Sequence, residues 1–127
     1  DFARLPAARS VRELDLRYAH LSHDLFLELL KTPLFEGLHT LRLQSNGLDA
    51  SCIEALVNRP EAASLRVLDV RYNPLNSQGA MALAQAPYLA NLTWLNVHAA
   101  DIWPKEGMEA LGASTTLPLH IRKYWRR

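Results

Sequence analysis

His20-Leu21-Ser22-His23 followed by Asp24 puts two imidazoles and a carboxylate within five residues. Such donors suit a transition metal, but a zinc site needs three or four converging ligands. Asp24 is the only third donor close by in sequence. Leu21 has to point inward and Asp24 suits a helix cap, so the expectation is a strand-to-helix turn and no metal. Cys52, the single cysteine, shares the sequence column of Leu25 and Gly79 and reads as core packing, not as a reactive thiol. Serine, histidine and aspartate are scattered without a nucleophile motif. The five glycines are dispersed, so no loop cradles phosphate. These patterns predict a chain that is not an enzyme and takes no cofactor. What remains is a set of cations and large aromatics: Arg17, Tyr18, Arg42, Arg71, Tyr72, Trp94 and His98. Aromatics and arginine dominate protein–protein hot spots, because they bury much surface at low entropy cost.

The elements that position them repeat every 27 residues. Val11, Leu38, Leu65 and Leu92 open four units. Apolar columns follow at Leu14/Leu41/Leu68/Leu95, Leu16/Leu43/Val70/Val97 and Leu21/Leu48/Leu75/Ile102. A proline column, Pro6/Pro33/Pro60/Pro87, precedes each opening residue. Repetition on this scale means an α/β solenoid, in which each unit buries its apolar face against its neighbours.

Each unit opens with L-x-x-L-x-L-x-x-N-x-L, complete in Leu38…Leu48 and Leu65…Leu75. Leucines two apart share one face of an extended strand. The chain must turn after each strand, where Asn46 and Asn73 can satisfy backbone groups freed by the bend. Ala19 and Ala100 hold that position in the outer units, so this asparagine ladder should be incomplete at both ends. The second half of each unit reads as a helix: Phe26/Leu29/Leu30, Ile53/Leu56/Val57 and Ala80/Leu83/Ala84 lie at helical spacing. Ser51-Cys52-Ile53-Glu54 fits a capping box with Ser51 as N-cap. The recurring proline is expected to stop each helix. Gly107 and Leu111 fall 28 residues after Gly79 and Leu83, so one residue is added near Trp103-Pro104.

Over residues 2–112 this pattern resembles the leucine-rich repeat family, most closely its ribonuclease-inhibitor-like subclass, through residues such as Asn73…Leu75…Gly79…Leu83. The resemblance implies a right-handed superhelix curved into a horseshoe, with a parallel sheet on the concave side and helices outside. It also implies a protein-binding scaffold. The leading expectation is a non-enzymatic interaction module that binds a protein through the concave face. The alternative is a regulatory or targeting region of a larger effector or GTPase-activator-type protein.

Register says which outward residues stack. Glu13, Thr40, Val67 and Trp94 form one row, Asp15, Arg42, Asp69 and Asn96 the next, and Arg17, Gln44, Arg71 and His98 the third. Tyr18, Ser45, Tyr72 and Ala99 follow just beyond. Neighbouring strands lie ~4.8 Å apart, so Asp15, Arg42 and Asp69 are expected to pair laterally.

The whole of 1–127 reads as one domain: a partial unit at 1–10, units at 11–37, 38–64, 65–91 and 92–116, then a capping strand and basic tail at 117–127. Leu117, Leu119 and Ile121 alternate with polar residues or proline, which suggests a last edge strand. Tyr124 and Trp125 could then cover the last core. Strand 14–17 lacks a neighbour on its N-terminal side, so the native chain continues there, the edge pairs with a second copy, or this is a natural end with a degenerate cap. The last six residues carry Arg122, Lys123, Arg126 and Arg127, against 10 basic and 13 acidic residues elsewhere. Four cations are a poor footprint for nucleic acid or anionic lipid. One cysteine allows no intrachain disulfide, which points to an intracellular, cytoplasmic setting. No apolar run approaches the ~18 residues of a membrane span. Asn91-Leu92-Thr93 fits a glycosylation sequon that such a setting leaves unused.

Overall fold

Period-2 apolar residues followed by period-3.6 residues produce the expected alternation of strand and helix. A computed structural model describes residues 2–125. Its four strands are β1 (Glu13–Asp15), β2 (Thr40–Arg42), β3 (Val67–Asp69) and β4 (Trp94–Asn96). They form one parallel sheet in the order β1-β2-β3-β4. Glu13 pairs with Thr40, Thr40 with Val67 and Val67 with Trp94, so the register is one repeat per strand. Leu41 and Leu68 are buried under the two central strands, whereas Leu14 and Leu95 at the two edges are half-buried.

Five helices carry the other half of the core: α1 (His23–Leu30), α2 (Ala50–Val57), α3 (Asn76–Ala84), α4 (Glu106–Gly112) and α5 (Leu119–Trp125). Phe26, Leu30, Ile53, Leu56, Val57, Ala80 and Leu83 are buried against the strand leucines. The cap of α2 differs from expectation. Asp49, not Ser51, is the N-cap: its Oδ1 accepts from the Cys52 N–H at 3.2 Å, while Ser51 Oγ donates to the same oxygen at 2.6 Å. The helix begins at Ala50, so the carboxylate of the residue just before it reaches the free amide first. The prolines also act differently. Helix α1 has ended by Lys31, and Pro33 instead opens a 3-10 turn, Pro33–Gly37. Pro6 and Pro60 do the same at Pro6–Ser10 and Pro60–Ser64, where the missing N–H costs nothing. In α4, a side chain at Gly107 would collide with the Ile102 carbonyl, which explains the glycine there.

The turns are held by side-chain amides from the next unit. Asn73 Oδ1 accepts from the Asn46 and Leu48 N–H groups, both at 3.0 Å. Its Nδ2 donates to the Leu43 and Val70 carbonyls, both at 3.0 Å, and to Arg71 O at 3.2 Å. Asn46 repeats this one unit earlier, accepting from Ala19 and Leu21 and donating to Leu16, Leu43 and Gln44 carbonyls. Both asparagines are buried. Ala100 offers no such amide, and Leu75 N–H turns back to Asn73 O at 2.8 Å.

Residues 117–121 are not a strand. Leu117 and Ile121 are buried while Leu119 is 55% exposed, a period of four that a strand cannot give. Pro118 sits just before α5, where its carbonyl accepts from Ile121 and Arg122 N–H groups. Trp125, four residues after Ile121, packs on the core edge, and Tyr124 points away. Of the basic tail, Arg122 donates to Ser114 O at 2.9 Å. Arg126 and Arg127 lie outside the described residues, as does Asp1. Ile121→Ala should therefore cost about 2–4 kcal/mol. Leu119→Ala should change stability by less than about 0.5 kcal/mol. Urea unfolding of both variants checks this; a capping strand would make them cost alike.

Candidate functional site

Side chains on a strand alternate between faces, so the residues flanking each buried leucine form the open side of the sheet. Its centre is largely closed by its own side chains. Asp69 is fully buried there. Its carboxylate takes the Arg71 N–H at 3.2 Å, Arg71 Nη2 at 2.8 Å and Asn96 Nδ2 at 3.1 Å. Asp15 does the same at the edge, binding the Arg17 N–H at 3.1 Å and Arg17 Nη2 at 2.7 Å. The lateral Asp15–Arg42–Asp69 pairing expected from register does not form. An aspartate can hold both the backbone N–H and the guanidinium of the residue two further on, and this double contact outcompetes one lateral ion pair. Among the described residues Arg42 has no ion pair; it acts on Asp15 through its charge alone. Arg17's side-chain hydrogen bond, then its backbone N–H, holds the exposed Asp15 carboxyl below its usual range. The same pairing raises the pKa of Arg17. Arg71 is raised likewise by its bond to Asp69.

The aromatics stand at the rim of this neutralised strip. Tyr18 and Tyr72 are 68% and 52% exposed. Both have left-handed backbones, with φ of 55° and 61°. Non-glycine residues there cost roughly 1–2 kcal/mol, so something must hold them. Tyr18 N–H donates to Gln44 O at 3.1 Å, and Ser45 N–H, also left-handed, donates to Arg71 O at 3.2 Å. In the fourth unit the chain instead enters a 3-10 turn, Ala99–Ile102. The His98 carbonyl is thereby taken up by Asp101 N–H, and the Asp101 carboxylate replaces it, accepting from Tyr72 N–H at 2.6 Å. The Tyr72 ring lies 5.3 Å from the His98 ring and 6.0 Å from the Arg71 guanidinium carbon. Trp94, 59% exposed, lines a cleft of about 330 Å³ with Asn96, His120, Tyr124 and Trp125. Tyr72, His98, Arg71 and the Trp94 strand thus gather at one end of the face, while Arg17 and Tyr18 mark the other.

Other chemistry is sparse. His20 and Asp24 do not join His23. Instead a ring nitrogen of His23, a carboxylate oxygen of Asp49 and the Cys52 sulfur lie within 4.8 Å of one another. Burial pushes the Cys52 thiol up, away from the reactive thiolate. Among the described residues no helix is long and apolar enough to cross a membrane.

Residues 62–84 match the family model described as Leucine Rich repeat. The match supports a leucine-rich repeat protein. No curated protein matches the chain. The matched stretch contains the end of one unit, strand β3, Asn73 and all of α3. The parallel sheet and five helices agree with such a fold. Repeats of this family are generally non-catalytic protein-interaction modules, so the match suggests that role.

Sequence reasoning missed four residues at these sites. Asp101 stands in for a carbonyl that no motif reveals. Asp49 lies one residue before α2, where the Ser51 capping-box pattern masks it. Asn96 was placed in its row without a partner. Gln44 is buried with its side-chain oxygen unbonded among the described residues. Only the aspartate–arginine spacing carried a usable signal, since it recurs in Asp15-Leu16-Arg17-Tyr18 and Asp69-Val70-Arg71-Tyr72. A carboxyl lowered in the folded chain stabilises fully above its unfolded pKa, near 3.9. That stability is lost as the pH falls through the folded value. Asp15→Asn keeps the acceptor for the Arg17 N–H and removes the charge. It should lower the urea midpoint near neutral pH and approach wild type as the pH falls through the lowered folded pKa. A deficit that persists in acid would mean the ion pair is not the cause.

Proposed function

We propose that the chain is a non-enzymatic protein-interaction module, a solenoid of the ribonuclease-inhibitor-like leucine-rich repeat subclass. It binds a protein partner through the concave face of its sheet. The observation that carries this reading is the exposure of Tyr18, Tyr72 and Trp94 on one side of a rigid sheet. Arg17 and Arg71 stand beside the tyrosines, each fixed by an aspartate. Rings held by backbone bonds and arginines held by carboxylates lose little freedom on binding, which favours affinity. Arg42 and His98 complete the surface at its centre and end. A protein fits this array better than nucleic acid, because no continuous basic stripe accompanies the rings. The lone cysteine supports a reducing, intracellular setting.

Hot-spot aromatics contribute about 2 kcal/mol or more each when truncated. Tyr72→Ala/Trp94→Ala should therefore weaken retention of a captured partner by more than about 100-fold. Leu27→Ala/Met81→Ala on the helices should leave it unchanged. Quantitative pull-down with both variants, each confirmed folded by circular dichroism, is the measurement. Loss with the helix variant and not the sheet variant would move the site to the opposite side.

A further inference from the structure

The sequence offers His20, His23 and Asp24 as neighbours, but the fold assembles a different set from two units. His23 opens α1 of the first unit; Asp49 and Cys52 lie at the start of α2 in the second. Their donor atoms are nitrogen, oxygen and sulfur, one from each residue, all within 4.8 Å of one another. His23 Nε2 lies 3.1 Å from the Gly47 carbonyl oxygen. A carbonyl only accepts, so Nε2 carries the proton in that bond. In the neutral ring Nδ1 is then a bare lone pair, and it faces Asp49 Oδ2 at 3.7 Å. Two acceptors face each other with the Cys52 sulfur beside them. Metal-bound histidines have this arrangement: the remote N–H is tied to a carbonyl and the near nitrogen turns to the ion.

We propose that His23, Asp49 and Cys52 form a binding site for a divalent cation of the zinc class, bridging the first and second units. Thiolate and imidazole donors select zinc-like ions over magnesium or calcium. Tetrahedral zinc with bonds of about 2.0–2.3 Å requires donors roughly 3.3–3.6 Å apart. The cluster needs a contraction of roughly 1 Å to reach that spacing. The exposed His23 side chain can supply it, and Asp49 Oδ2 is available because the helix cap uses Oδ1. As the metal–sulfur bond forms, the thiol proton leaves to solvent. Thiolate and carboxylate together bring two negative charges to the ion. The α2 N-terminus opposes them with the equivalent of only about half a positive charge. Three protein ligands leave one position for water, as in open zinc sites.

The test is a cobalt(II) titration of the metal-free 127-residue chain with a non-thiol reductant present. Cys52 is the only cysteine, so sulfur-to-cobalt charge-transfer absorption reports this site alone. The expected result is one cobalt per chain with that band and tetrahedral ligand-field bands, all abolished by equimolar zinc. Cys52→Ala should lose the charge-transfer band. His23→Gln, at an exposed position, should weaken binding about tenfold or more. Asp49→Asn should do likewise while keeping the helix cap, since asparagine caps as well as aspartate. These two variants keep the test decisive if the buried Cys52→Ala does not fold. Cobalt bound without a sulfur band, or bound equally well by His23→Gln, would overturn the proposal.

Discussion

A chain that turns sharply at the end of a buried strand frees amide and carbonyl groups that water cannot reach. Leaving each unpaired costs about 1–3 kcal/mol. The structure meets this constraint by reaching across: Asn46 closes the turn of the first unit, and Asn73 closes that of the second. Each asparagine is bonded both to its own strand end and to its neighbour's. Units so joined cannot slide without breaking several buried bonds at once. The pairing of Glu13, Thr40 and Val67 in one row agrees with that lock. So does the alignment of the side chains exposed on the sheet.

The period of 27 made this much legible in the sequence. Spacing alone placed the strands, the register and the buried columns, because a repeat must bury the same positions in every copy. Legibility fell where a residue's role depends on one particular neighbour. Leu117, Leu119 and Ile121 alternate like a strand, but only packing against the last unit reveals that Leu119 faces solvent and the segment is helical. Register alone pairs Asp15 and Asp69 with Arg42, whereas a carboxylate beside a strand end binds the N–H two residues on. The His23, Asp49 and Cys52 cluster was hidden because its members lie 26 and 29 residues apart in sequence. At the far end, Ala100 predicted a gap in the ladder. The gap is there, and Leu75 N–H turns back to Asn73 O instead.

These features bear on function together. At the sheet centre Asp69 is buried and shared between Arg71 and Asn96. The rims carry large rings on backbones held in a conformation they would not adopt alone. Rigidity of this kind suits recognition. A cation between the first two units would add a second lock beside Asn46, on the helical side of the same junction.

The claim that neighbouring units are closed by one another's asparagines is tested most directly by native-state hydrogen exchange on wild type and Asn73→Ala. The Asn46 and Leu48 amides donate to the Asn73 side chain. The account predicts that these two exchange at least about tenfold faster, beyond any chain-wide change. The Ala19 and Leu21 amides, held by Asn46, should show only the chain-wide change. A uniform acceleration across all four amides, or none, would contradict it.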